Sequence, residues 1–121
     1  MRLPLLFMLA AGSLVSVTSV TSAYADAQCS DLRVLRSRSA TMPADMVFKV
    51  SDDAGARRFR IYWINYDGEK LLHRELSAGQ TFKVNTYLTH PWLVTVPQPA
   101  GDEVCKTVLT PKSGIRTVHL Q

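Results

Sequence analysis

The sequence predicts an all-β domain, a β-sandwich of about seven to eight strands with one disulfide. Short runs rich in β-branched and aromatic residues recur at roughly ten-residue spacing, separated by Gly, Pro, Asp and Ser. No stretch beyond residue 25 carries a sustained helical period. The only two cysteines, Cys29 and Cys105, sit near opposite ends of this β-rich part. They leave one intramolecular pairing open, and its long loop is worth about 4 kcal/mol in chain entropy. A metal or free-thiol role is the alternative, and there is no C-x-x-C to favour it.

The first 25 residues stand apart. "MRLPLLFMLAAGSLVSVTSVTSAYA" has one Arg, an apolar run diluted by Ser and Thr, and an A-x-A ending at Ala23–Ala25. That pattern predicts a cleaved signal peptide over 1–25 and a secreted or periplasmic protein without a transmembrane segment. Export would place both cysteines in an oxidising compartment. Residues 26–121 are enough for one small domain and too few for two.

The elements follow in order. "LRVLRSRS" (32–39) alternates Leu32 and Val34 with charges and reads as a strand. "DMVFKVS" (45–51) is next, ended by "DDAGA". "FRIYWINY" (59–66) is the strongest strand, and "DGEK" after it signals a hairpin. "LLHREL" (71–76), the turn "SAG" and "TFKVNTY" (81–87) come before a break at Leu88–His90. "PWLVTV" (91–96), "VCKTVLT" (104–110) and "IRTVHLQ" (115–121) complete the set. Parity puts His90, Trp92, Val94 and Val96 on one face. Both faces around Trp63 are apolar, so periodicity does not say which is core.

Charge and chemistry exclude several classes. The formal charge is +4, and only "ARRFR" (56–60) is locally basic. Export makes a nucleic-acid partner improbable, and Arg57 and Arg58 read as a solvated edge strand. The three histidines, His73, His90 and His119, fall on different predicted strands without metal-ligand spacing. No nucleophile elbow is present, and Asp67 and Glu69 belong to the hairpin turn. These residues point to no catalytic group, metal or cofactor. What remains is Trp63, Thr86, His90 and Trp92. Indole walls with a hydroxyl and an imidazole suit a small ring bearing one hydroxyl, and core filling by the two tryptophans is the competing reading.

"IYWINYDGE" (61–69) and "YLTHPWLV" (87–94) together resemble the von Hippel–Lindau β-domain family. The family pattern is a Trp–aliphatic–Asn–aromatic–Asp-Gly-Glu hairpin, a glycine turn, a hydroxyl residue before Tyr, and His-x-Trp-Leu. Here it reads Trp63-Ile64-Asn65-Tyr66-Asp67-Gly68-Glu69, Gly79, Thr86-Tyr87 and His90-Pro91-Trp92-Leu93, with no gap. The resemblance covers about residues 33–96 and is fairly specific. It implies a β-sandwich with a pocket for an extended peptide carrying proline or hydroxyproline. Trp63 and Trp92 would be its walls, and Thr86, standing where the family has a serine, and His90 would bond the hydroxyl. His73 replaces the pocket tyrosine. The family's helical second domain has no counterpart in this chain, so no ubiquitin-ligase partner is expected. The expected function is a non-catalytic exported binding module with a protein or peptide partner. A purely structural sandwich, or a small exported enzyme or metal-binding protein using its histidines, are the alternatives.

Overall fold

Seven strands form in residues 29–121, the part of the chain described by the computed structural model. The expected signal peptide lies outside the described residues. The strands are β1 (Pro43–Val50), β2 (Phe59–Ile64), β3 (Lys70–Leu76), β4 (Thr81–Tyr87), β5 (Trp92–Pro97), β6 (Glu103–Leu109) and β7 (Ile115–Leu120). They make two sheets, ordered β4-β1-β7 and β3-β2-β5-β6. Every pairing is antiparallel except β1 with β7. The predicted sandwich is therefore present.

Period-two patterning builds the interior. In β1 the even residues Ala44, Met46, Phe48 and Val50 are buried. Met46, Phe48 and Val50 face Phe59 and Ile61 of β2, Leu76, Leu109, and Trp92 and Val94 of β5 across the sandwich, with Val118 and Leu120 of neighbouring β7 beside them. Each such side chain contributes roughly 1.5–3 kcal/mol over its exposed state. The central strands β2 and β5 are apolar on both faces for a separate reason. Tyr62, Ile64, Leu93 and Val108 form a second cluster on the outer face of the four-stranded sheet, and Leu32 and Leu35 cover it.

That cover corrects one expectation. Residues 32–39 are not a strand; they form an irregular strap laid across the outer face. A short 3-10 turn, Cys29–Asp31, starts it, and the Cys29–Cys105 disulfide ties it to β6 with a Cα–Cα distance of 6.0 Å. Alternation failed here because Leu32 and Leu35, not Leu32 and Val34, face the sheet; Val34 is 72% exposed. The basic run was also misplaced. Arg57 and Arg58 precede β2 in a loop, and β2 is a central strand. Arg58 pairs with Glu75 at 3.1 Å, and Arg57 Nη1 donates to the Gln121 carbonyl.

A charged network braces the same outer face. Glu103 accepts from Tyr62 Oη, from Arg60 Nη1 at 2.7 Å, from Lys70 Nζ at 3.2 Å and from Thr95 Oγ1 at 3.0 Å. Burial alone would raise its carboxyl pKa. The four donors outweigh burial and bring it down to about 2.

Two turns then set the open end of the sandwich. Asn65 Oδ1 accepts from the Asp67 and Glu69 amides, closing the β2–β3 hairpin. Gly68 sits there at φ 85°, and a Cβ would meet the Leu35 carbonyl at 3.3 Å. The β3–β4 link then carries the chain from one sheet to the other. β3 and β4 end as the adjacent outer strands of the two sheets.

Candidate functional site

Between those two outer strands lies a cleft of ≈ 260 Å³ lined by Trp63, Tyr66, His73, Val84, Asn85, Thr86, Tyr87, His90 and Trp92. All five residues singled out in the sequence, Trp63, His73, Thr86, His90 and Trp92, meet in it. It is not the largest hollow. One of ≈ 630 Å³ lies beside Arg57, Pro97 and Lys106, and another of ≈ 320 Å³ beside Lys70 and Glu103. The cleft differs in chemistry, because it is mostly apolar and no lining residue is an acid, Lys or Arg.

Backbone register explains the convergence. Trp63 of β2 pairs directly with Trp92 of β5, so both indoles project from the same face of the sheet. Thr86 is on β4, opposite Ala44 of β1, where the small partner leaves room. His90 follows a tight turn in which its amide donates to the Tyr87 carbonyl at 3.0 Å. His73 arrives through a bulge: Tyr62 pairs with Leu72 and Ile61 with Arg74, which leaves His73 as the extra residue. Its ring meets Trp92 edge-on at 4.9 Å.

The polar groups are individually placed. Trp92 is only 2% exposed and packs on Phe48, and its Nε1 donates to Thr86 Oγ1 at 3.0 Å. It is thus part of the core as well as the floor of the cleft. Thr86, 5% exposed, accepts that bond and keeps its own O–H to donate. Trp63 is half-buried, tilted against His90 at 5.5 Å, and its buried Nε1 meets no hydrogen-bond partner among the described residues.

His90 is 5% exposed, ringed by Trp63, Tyr66 and Tyr87, with Tyr66 Oη 3.3 Å from Nε2. Desolvation pushes its pKa down, opposed by a hydrogen bond from the ring to the Arg38 backbone carbonyl. Desolvation also lowers His73. Both rings are therefore neutral at pH 7, and a neutral imidazole has one acceptor nitrogen, which at His90 a ligand would share with Tyr66 Oη when Nε2 is the unprotonated one.

The third histidine is elsewhere. His119 is an exposed residue of β7, at the far edge of the other sheet. Among the described residues, no three His, Cys, Asp or Glu side chains gather into a metal-binding group. Nor is any described helix long and apolar enough to cross a membrane.

The VHL beta domain family model matches residues 35–102, more than half of the sequence. The chain belongs to the VHL beta domain family. No curated protein matches it. VHL beta domains are protein-binding recognition domains without catalysis of their own. The match begins inside the strap and ends just before β6, so it contains every lining residue of the cleft.

Sequence reasoning assigned no role to Tyr66, Val84, Asn85 and Tyr87. Tyr66 and Tyr87 were visible inside the two VHL motifs, where an aromatic follows Asn65 and Thr86. Val84 shares the Thr86 face of its strand by parity, and Asn85 carried no signal beyond standing next to Thr86.

Proposed function

We propose that this VHL beta domain is an exported, non-catalytic module that binds an extended peptide through a proline-type ring, hydroxyproline above all. The observation that carries the reading is the pairing of Thr86 and His90 in one uncharged cleft. One offers an O–H donor and the other an acceptor nitrogen, over an indole floor. A ligand hydroxyl both donates and accepts, so it satisfies the two at once.

Size and surroundings favour the same ligand class. A volume of ≈ 260 Å³ suits one side chain rather than a whole cofactor. The free outer edge of β4 offers unpaired backbone groups beside the cleft, as an extended peptide needs. Tyr66 and Tyr87 of the lining stay 50% and 42% exposed, and Leu71, paired with Trp63, stays 45% exposed. An apolar rim of that kind around a pocket is typical of protein-binding surfaces. The Cys29–Cys105 disulfide fits an oxidising, extracytoplasmic setting.

Calorimetric titration of the oxidised protein with a hydroxyproline peptide and its proline twin tests this. Plain proline would leave Thr86 and His90 unpaired, so its affinity should be lower by about 1–3 kcal/mol for each group. His90→Ala should erase the difference while the fold persists. Equal affinity for both peptides would sink the hydroxyproline reading, and no binding of either would sink the peptide reading.

A further inference from the structure

The strap that covers the outer face ends at the cleft on the inner face. From Cys29 it crosses Tyr62, Ile64, Leu93 and Val108, with Leu32 and Leu35 packed down. Ser37, 3% exposed, fastens it to the end of β2: its amide donates to the Asn65 carbonyl at 3.0 Å, and its hydroxyl donates to the Ile64 carbonyl. The next residue reaches the site. The Arg38 carbonyl accepts from Thr89 Oγ1 at 2.7 Å, and the same backbone group acts on the adjacent His90 ring, raising its pKa against desolvation. The strap therefore holds the turn 87–90 through the Thr89 side chain, next to His90.

We propose that the Cys29–Cys105 disulfide, through this strap, positions His90 for ligand binding, so that the thiol or disulfide state of the pair sets the affinity of the cleft. Its effect on affinity rests on the peptide-binding reading above; its effect on His90 does not.

The argument is one of anchoring. Two partly buried leucines and the Ser37 bonds must offset the ordering of some ten residues of irregular chain. No sheet pairing helps them, because residues 32–38 make no strand. The disulfide supplies the remaining constraint at the far end. Without it, the Arg38 carbonyl is held only by the Ser37 and Thr89 bonds, and as it loosens so do the tautomer and orientation of His90, since the group at one ring nitrogen decides what the other presents. Arg38 acts through His90 and is a positioning residue. The strap does not carry the inter-sheet core, whose side chains come from the strands themselves. Its release is a local opening rather than unfolding.

A small dithiol such as dithiothreitol completes the chemistry. It gives two electrons and two protons, the S–S bond breaks to two thiols at Cys29 and Cys105, and the dithiol closes to its own disulfide. The test compares oxidised and reduced protein by imidazole nitrogen NMR, by amide exchange at Ser37 and His90, and by peptide titration. In the oxidised form His90 should show one neutral tautomer. Reduction should mix its tautomers, speed exchange at Ser37 and His90 at least tenfold, and weaken the hydroxyproline peptide about tenfold. Ser37→Ala, with the disulfide intact, should move the same three readouts in the same direction by less, and it serves if the reduced protein does not stay folded.

An unchanged His90 tautomer with a lower melting temperature would make the disulfide a plain staple and overturn the proposal. A tautomer change in a protein that binds neither peptide would support the coupling and sink only the peptide reading.

Discussion

The two faces of the β3-β2-β5-β6 sheet treat polar groups in opposite ways. On the outer face, Glu103 is fully answered by Arg60, Tyr62, Lys70 and Thr95, and the strap backbone is bonded where it meets the sheet. On the inner face, at the open end, Trp63 Nε1 has no partner among the described residues and Thr86 keeps a donor to spare. Two histidines there are held neutral. The contrast separates scaffold from site. Charges that meet matching donors hold the sheet in place, whereas neutral groups left with capacity in an apolar cleft are arranged for something that comes from outside.

The largest test of this contrast is the residue that belongs to both regions. Trp92 floors the cleft yet is 2% exposed against Phe48. Trp92→Ala should destabilise the protein by about 3–5 kcal/mol, measured by chemical denaturation. A loss below about 1 kcal/mol would place Trp92 with the ligand groups alone. Because of this burial, Trp92→Ala is a poor probe of binding, and His90 and Thr86 carry that role better.

Glu103→Ala sharpens the outer face. Its side chain is 15% exposed and its cationic partners more so, so the loss should fall below that of a fully buried pair, at about 2 kcal/mol near neutral pH. The pH dependence follows from the sign of the shift. The folded carboxyl is depressed to about 2, so the stability it adds is present above the unfolded value and lost as pH falls through about 2. Wild type and variant should converge toward that pH. Peptide affinity at pH 7 should be unchanged in the variant, and a large drop would erase the separation of the two faces.

Much of this was legible in advance, and the exceptions are instructive. The motif from Trp63 to Leu93 is local in sequence and runs without a gap, so five of the nine cleft residues could be named from it. Two features were not legible. Parity read residues 32–39 as a strand because Leu32 and Val34 alternate, but the strap crosses the sheet and is held by a disulfide and by Ser37, which leave no period. The bulge at His73 is equally silent: it appears only when β3 is set against β2 and one residue is left over. Its effect is to bring a neutral ring onto Trp92.

Acid should affect the inner face before the outer one. The folded pKa of His90 lies below the ordinary histidine value, chiefly through desolvation. Its neutral form therefore contributes stability above about 6.5 that is lost as pH falls through the folded value. Protonation also removes the acceptor nitrogen. Hydroxyproline-peptide affinity should accordingly decline in mild acid, well above the range where Glu103 titrates. A His90→Gln variant should lack that decline. If wild type and variant show the same pH profile, His90 does not accept from the ligand.

The smallest change separates two uses of one hydroxyl. Thr86 Oγ1 accepts from Trp92 Nε1, and in the proposed complex it also donates to the ligand. Thr86→Val keeps the shape of the side chain and removes both bonds. The orphaned indole N–H should lower stability by about 1 kcal/mol, seen as a small shift of the denaturation midpoint. The affinity gap between hydroxyproline and proline peptides should narrow sharply, because the ligand hydroxyl would then face a methyl group. Thr86→Ser retains the oxygen and should restore both properties, apart from a slight loss of packing. If Thr86→Val lowers stability as expected but leaves the peptide gap intact, the hydroxyl serves only to hold the Trp92 indole. The donor side of the cleft would then have to come from another group, and Tyr66 Oη, 3.3 Å from His90 Nε2, is the nearest candidate.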